Sequence, residues 1–267
     1  MAFQVRGTCA GYVRELRGFT LDFLDCSSGR RIAFNKTQGA GPGVVFLGGF
    51  MSDMEGGKAI FLERWAASQG RAFLRFDYSG HGQSSGNFTD GCIGDWFADA
   101  REAIERLTDG PQVFVGSSMG GWISMLCAKA DPQKLAGLVT IAAAPDFIED
   151  GFFAGFTDEE RAKLEVEGVV YVPSGYGDPY PITKRLIHDG RNHLVLRKPL
   201  SFGFPVRMLQ GTDDASVTRA TALGLLDHLE VDDIRLTFVK GGDHSLSTPD
   251  NLELIRATIE DVLNCVS

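Results

Sequence analysis

Between residues 44 and 143, short apolar or β-branched runs alternate with longer amphipathic stretches, and this alternation restricts the fold more than any other feature of the chain. VVFL at 44–47 precedes a helical pattern over about 58–69, AFLRF at 72–76 precedes one over about 94–107, and QVFVG at 112–116 precedes one over 119–130, before LAGLVTIAA at 135–143. Strands joined through helices run parallel and need cover on both faces, so these runs predict the interior of a parallel α/β sheet. The rhythm resumes with PVRMLQG at 205–211, a helix over about 216–229, DIRLTFVKGG at 233–242 and a closing helix over 249–264. Upstream, 19–26 and 31–36 read as two strands that pair as a hairpin through the turn residues Ser27, Ser28 and Gly29. The expectation is an α/β fold with a mostly parallel sheet of about eight strands.

Residues 145 to about 203 break the pattern, with Pro145, Pro173, Pro179, Pro181 and Pro199, many aromatics and only short helical candidates such as 157–167. This stretch is read as a cap inserted between strands of a single domain spanning 1–267, since α/β folds often run this long undivided. With 43% hydrophobic and 23% charged residues the chain has material for a large core, which excludes disorder. A net charge of −9 has the wrong sign for tracking phosphates and excludes nucleic acid as a partner. The five cysteines, Cys9, Cys26, Cys92, Cys127 and Cys265, are scattered and form no C-x-x-C pair, pointing to neither a disulfide framework nor a zinc site. No apolar run reaches signal-peptide or membrane-span length. The expectation is a soluble, cytoplasmic protein.

In such sheets ligands sit beyond the carboxyl ends of the strands. There the sequence places Gly116-Ser117-Ser118-Met119-Gly120, a G-x-S-x-G between a predicted strand and a predicted helix. On this sharp turn Gly116 and Gly120 remove side chains that would collide, and Ser118 Oγ is lifted out of the sheet at a helix N-terminus that favours developing negative charge. Ser118, not Ser117, is the nucleophile candidate. The plain alternative is a Gly-rich turn capped by serine. A hydroxyl needs a base, and the base an orienting acid, in the chain order Ser, Asp or Glu, His. Among the five histidines His244, in VKGGDHSL past the last predicted strand, is best placed. His81 precedes the elbow, His188 and His193 lie in the cap, and His228 sits late in a helix where the dipole favours a surface role. For the acid, VRMLQGTDDASV offers both Asp213 and Asp214; one should face His244 while the other caps the helix starting near Ser216. The oxyanion hole needs two preorganised N–H donors, assigned to Met119 after the nucleophile and Phe50 in the Gly48-Gly49-Phe50-Met51 loop.

Together, the LGGF loop, Asp77-Tyr78-Ser79-Gly80-His81-Gly82-Gln83-Ser84 as D-x-x-G-x-G-x-S, the GSSMGGW elbow, and G-x-x-D-x-x-V from Gly211 to Val217 resemble the α/β hydrolases over nearly the full chain. That last pattern selects Asp214 over Asp213, and the interval from Asp214 to His244 leaves room for one helix and one strand. RFDYSGHGQSSGN, VGSSMGGW and the position of the cap look more specifically like the acyl-protein thioesterase and mycophenolic acid acyl-glucuronide esterase branch known from mitochondria. The resemblance implies hydrolysis of esters or thioesters through an acyl-enzyme, without metal or organic cofactor. Where family members often carry His-Gly, this chain has Gly48-Gly49 and Gln210-Gly211; backbone donors survive both changes. The mitochondrial relatives would carry a targeting leader, whereas this chain begins almost at its first strand, so their location is not transferred. Asp77 and Ser84 are read as turn residues, and a serine at the elbow disfavours dehalogenation, which uses aspartate.

The cap is unevenly charged: eight acids face two bases over 146–167, whereas Lys184, Arg185, Arg191, Arg197 and Lys198 accompany only Asp189 over 181–200. Such a basic segment either attracts anionic substrates or pairs with the acidic half. Phe147, Phe152, Phe153, Phe156, Tyr176 and Tyr180 suit an acyl or aromatic pocket and suit ordinary packing equally well. Rival readings are a peptidase or C–C hydrolase using the same triad, and a non-catalytic binding module whose relay is broken. Oligomeric state is not legible.

Overall fold

The computed structural model describes residues 21–175 and 177–266. Phe19 and Thr20 of the expected opening strand, Cys9, and the cap aromatic Tyr176 lie outside the described residues. Among the described residues the first elements are β1 (Asp22–Asp25) and β2 (Arg31–Thr37), paired antiparallel across the turn residues between them. There follow β3 (Ala40–Leu47), α1 (Gly57–Ser68), β4 (Arg71–Phe76), α2 (Ile93–Leu107), β5 (Gln112–Ser117), α3 (Met119–Ala130) and β6 (Leu135–Ile141). The inserted stretch holds a π-helical turn at Phe147–Phe153, then α4 (Asp158–Glu167), β7 (Val169–Val172), β8 (Tyr180–Thr183), α5 (Lys184–Gly190) and β9 (Leu200–Ser201). The chain closes with β10 (Val206–Gly211), α6 (Arg219–His228), β11 (Leu229–Glu230), β12 (Ile234–Val239) and α7 (Pro249–Val266).

Among the described residues eight strands form one sheet in the order β1-β2-β4-β3-β5-β6-β10-β12. Its first two pairings are antiparallel and the rest parallel, the mostly parallel α/β architecture that the alternating pattern predicts. β5 shows why the pattern works. Its alternate residues point to opposite faces: Phe114 joins Trp96 of α2 and Trp122 of α3 on one side, while Val113 and Val115 join Leu62 of α1 and Ile259 of α7 on the other. Both faces are dry, so truncating Phe114 to Ala should cost about 3–5 kcal/mol.

The insertion leaves the sheet after β6 and returns at β10. Asp146, buried and left-handed at φ 55°, ties its entry to its exit by accepting the Val195 and Leu196 N–H groups at 2.8 and 2.9 Å. Burial pushes the Asp146 carboxyl up, a tendency these bonds only partly offset. Thr157 and Glu160 form a reciprocal cap at the start of α4. β7 and β8 pair antiparallel, and β9 pairs with β11, fastening the insertion to the end of α6.

Parallel order has one consequence for function. β3, β4, β5, β10 and β12 all end on the same edge, so the loops holding Phe50, Asp77, Ser118, Asp214 and His244 are brought together there.

Candidate active site

Ser118 sits between β5 and α3 with φ 53° and ψ −117°, a conformation that non-glycine residues adopt only when the surroundings enforce it. The enforcement is visible. Its N–H donates to Ile141 O at 2.9 Å, and its own carbonyl accepts from Gly121 and Ala144 N–H at 2.9 and 3.1 Å. The flanking glycines are required by close approach: a Cβ on Gly120 would lie 2.0 Å from Leu47 O, and one on Gly116 would lie 2.5 Å from Gly120 O.

The loop after β12 delivers His244. It is braced by Lys58 of α1, whose Nζ donates to Ser245 O at 2.5 Å and Ser247 Oγ at 3.3 Å. Burial pulls the Lys58 ammonium below its usual range, with Asp243 opposing the shift. The loop is also stitched to the acid loop, because Asp213 N–H donates to Gly242 O at 2.9 Å and Thr212 N–H to Val239 O at 2.9 Å.

The structure brings Ser118, His244 and Asp214 into one relay. His244 Nε2 lies 3.0 Å from Ser118 Oγ and Nδ1 lies 2.8 Å from Asp214 Oδ2. A carboxylate can only accept, so Nδ1 carries the proton and Nε2 accepts from the hydroxyl. Asp214 has no exposed side-chain surface, and the His244 side chain is 15% exposed. Burial alone would raise the Asp214 carboxyl, yet hydrogen bonds from His244 and the Val217 and Ser216 N–H groups hold it below the usual carboxylate range.

The expected division of labour between the two aspartates is corrected. Asp214 itself serves as the turn cap: its Oδ1 accepts Ser216 and Val217 N–H, both at 2.8 Å, while Oδ2 faces His244. Asp213 is exposed and bonded to Thr212, and the N-cap of α6 is Thr218. One carboxylate has two oxygens, so one residue suffices for both tasks. Gln210 is a neighbour that sequence reasoning passed over as a mere departure from the family pattern. Buried at the end of β10, its Nε2 donates to Asp214 Oδ2 at 2.9 Å and Val217 O at 3.0 Å.

Met119 is the first residue of α3, and Phe50 lies in the loop after β3, where Gly49 comes against Ser118: a Cβ on Gly49 would lie 3.4 Å from that of Ser118. Neither Met119 N–H nor Phe50 N–H donates to another described residue. The Phe50 ring is surrounded by Phe88, Trp96, Phe147, Phe152 and Tyr180 at centroid distances of 4.9 to 6.1 Å. Phe147, Phe152 and Tyr180 of the insertion thus stand over the loop after β3 through Phe50, while Phe153 and Phe156 pair with each other at 6.1 Å.

Four of the five bases over 181–200 are engaged in ion pairs. Lys184 meets Glu165, Arg185 meets Asp95, Arg191 meets Glu149 and Arg197 meets Asp150. Three of these pairs join the two halves of the insertion and the fourth reaches Asp95 of α2, so these four cations are already matched by protein carboxylates. Two of the other histidines have partners of their own: His228 Nε2 bonds Val195 O, and His193 pairs with Asp189 at 3.6 Å.

Comparison with known proteins agrees with this geometry. The Hydrolase_4 family model, described as Serine aminopeptidase, S33, matches residues 43–157. The mitochondrial palmitoyl-protein thioesterase ABHD10 of Bos taurus is 34% identical over 253 residues, covering 93% of this chain and 81% of the relative. Among solved structures, a putative hydrolase from Agrobacterium vitis S4 is 37% identical with a TM-score of 0.87, covering 92% of this chain and 99% of the other. Mouse alpha/beta hydrolase domain-containing protein 10 is 32% identical with a TM-score of 0.86, covering 93% and all of the other chain. These relatives contradict the expectation of a cytoplasmic protein, since the bovine and mouse thioesterases are named as mitochondrial. Scattered thiols and an acidic composition carry no address that distinguishes one compartment from the other. Among the described residues no helix is long and apolar enough to cross a membrane.

Proposed function

The chain belongs to the α/β-hydrolase superfamily, in the family of the ABHD10 palmitoyl-protein thioesterases, and on that premise we propose that it is a serine hydrolase cleaving carboxylic esters or thioesters through an acyl-enzyme. Ser118 Oγ attacks the carbonyl carbon while His244 Nε2 takes its proton, and the ionised Asp214 stabilises the imidazolium so formed. Met119 and Phe50 N–H groups bind the developing oxyanion. His244 then gives its proton to the departing alcohol or thiol, and water repeats the cycle to release the acid. Each step uses protein groups and water, without metal or organic cofactor. Residues 145–203 act as a cap, and its aromatics about Phe50 receive the apolar part of a small-molecule acyl substrate.

The observation that carries this reading is the unbroken relay at 2.8 and 3.0 Å, which a binding module has no need to maintain. The family description as a serine aminopeptidase keeps peptide hydrolysis as the second reading. The test is turnover of p-nitrophenyl acetate, a palmitoyl thioester, an acyl glucuronide and an aminoacyl anilide by wild type and Ser118→Ala. Ester or thioester turnover lost in Ser118→Ala is expected. Faster anilide turnover would favour the peptidase, and no turnover by folded protein would overturn the hydrolase.

A further inference from the structure

The turn from Asp77 to Ser84 takes no part in the proposed chemistry, yet three of its residues contact the proposed oxyanion loop. Asp77 Oδ1 accepts Met54 N–H at 2.6 Å, the Tyr78 hydroxyl approaches Gly48 O at 3.5 Å, and His81 Nε2 accepts Met51 N–H at 3.3 Å. These contacts bracket Phe50 on both sides. Gly82 makes the arrangement possible, since a Cβ there would lie 2.1 Å from Asp77 Oδ2. Gly82 and the motif aspartate are therefore packed as one unit, and His81 beside them reaches a loop thirty residues upstream.

The contact from His81 adjoins Phe50 directly. Met51 has φ 54°, a left-handed conformation that is unfavourable for a residue with a side chain and persists only where something holds it. The His81 ring is prepared to hold it. It is 3% exposed and boxed edge-on by Tyr78, Phe88 and Trp96 at 5.6, 5.1 and 5.0 Å. Its Nδ1–H donates to Ser79 O at 3.2 Å, which leaves Nε2 as the acceptor. Burial pulls its pKa down to about 4, against the opposing pull of the Ser79 carbonyl, so the ring is neutral at pH 7.

We propose that His81 is a positioning residue for the oxyanion hole, its neutral imidazole holding Met51 N–H so that the neighbouring Phe50 N–H stays aimed at the oxyanion. The inference rests on the serine-hydrolase reading and on Phe50 as the donor. No bond to substrate forms at His81, and it moves no proton.

The test compares His81→Phe, which keeps the aromatic packing but removes the acceptor, with His81→Gln, whose Oε1 falls about where Nε2 was. With a p-nitrophenyl ester, His81→Phe should lower kcat by about 30- to 100-fold, the scale of misplacing rather than deleting a donor, with KM changed less than about threefold. Affinity for a trifluoromethyl ketone, which forms the oxyanion, should weaken by a similar factor, and His81→Gln should recover kcat to within about fivefold of wild type. If His81→Phe does not fold, His81→Asn replaces it with the same expectation, because its side chain is too short to reach Met51. Wild-type kcat in the folded acceptor-less variant, or His81→Gln as impaired as His81→Phe, overturns the proposal. Ser118→Ala is assayed beside them: if it retains turnover, the hydrolase reading falls and takes this inference with it; if it is inactive while His81→Phe is normal, the positioning role alone falls.

Discussion

Acidification should destabilise this protein through His81 before it protonates the carboxylates of the site. In the folded chain burial lowers the His81 pKa from 6.5 to about 4, whereas the unfolded chain titrates near the ordinary value. Between these limits the unfolded state binds more protons, so stability from this group is full above about pH 6.5 and is lost as pH falls toward 4. At 1.36 kcal/mol per unit the whole effect is about 3 kcal/mol, of which about 2 kcal/mol is gone by pH 5. Urea unfolding of wild type and His81→Gln at pH 7, 6 and 5 isolates the group, because Asp214, Asp77 and Asp146 titrate in both proteins and cancel in the difference. The gap between the two stabilities should shift by about 2 kcal/mol in favour of the variant from pH 7 to pH 5. Parallel pH dependences would refute the buried, neutral imidazole.

Three further perturbations probe the relay and its scaffold. Asp214→Asn removes the anion that fixes the His244 tautomer, so kcat for an ester should fall by about 10⁴-fold with the fold intact by circular dichroism. Gly120→Ala places a methyl 2.0 Å from Leu47 O, and urea unfolding should show a loss on the order of 3 kcal/mol, with activity abolished. Gln210→Leu deletes a donor to Asp214 Oδ2; the less neutralised carboxylate then holds the imidazolium more firmly, and the acid limb of the kcat/KM profile should move to higher pH.

The main sheet was legible because its strands are buried on both faces and read as continuous apolar runs, and because helices such as Met119–Ala130 begin at a motif with its own geometry. The three side chains of the candidate site were legible because each follows a strand end by a few residues. Less visible were features whose partners lie far along the chain. His81 meets Met51 thirty residues away, and nothing local to the turn reveals it. The β7–β8 pair escaped detection because its strands are four residues long with Pro181 inside one of them. The π-helical turn Phe147–Phe153 has no helical apolar period to announce it. Charge counting located two unlike halves of the insertion, but only the ion pairs reveal that Lys184, Arg191 and Arg197 meet acids of the other half while Arg185 reaches Asp95 of α2.

The most direct test of the central claim is covalent labelling with a fluorophosphonate followed by peptide mapping. The account predicts stoichiometric modification of Ser118, abolished in Ser118→Ala and slowed by orders of magnitude in His244→Ala, because an isolated hydroxyl is a poor nucleophile. Folded wild-type protein that stays unlabelled, or that is labelled at another residue, contradicts it.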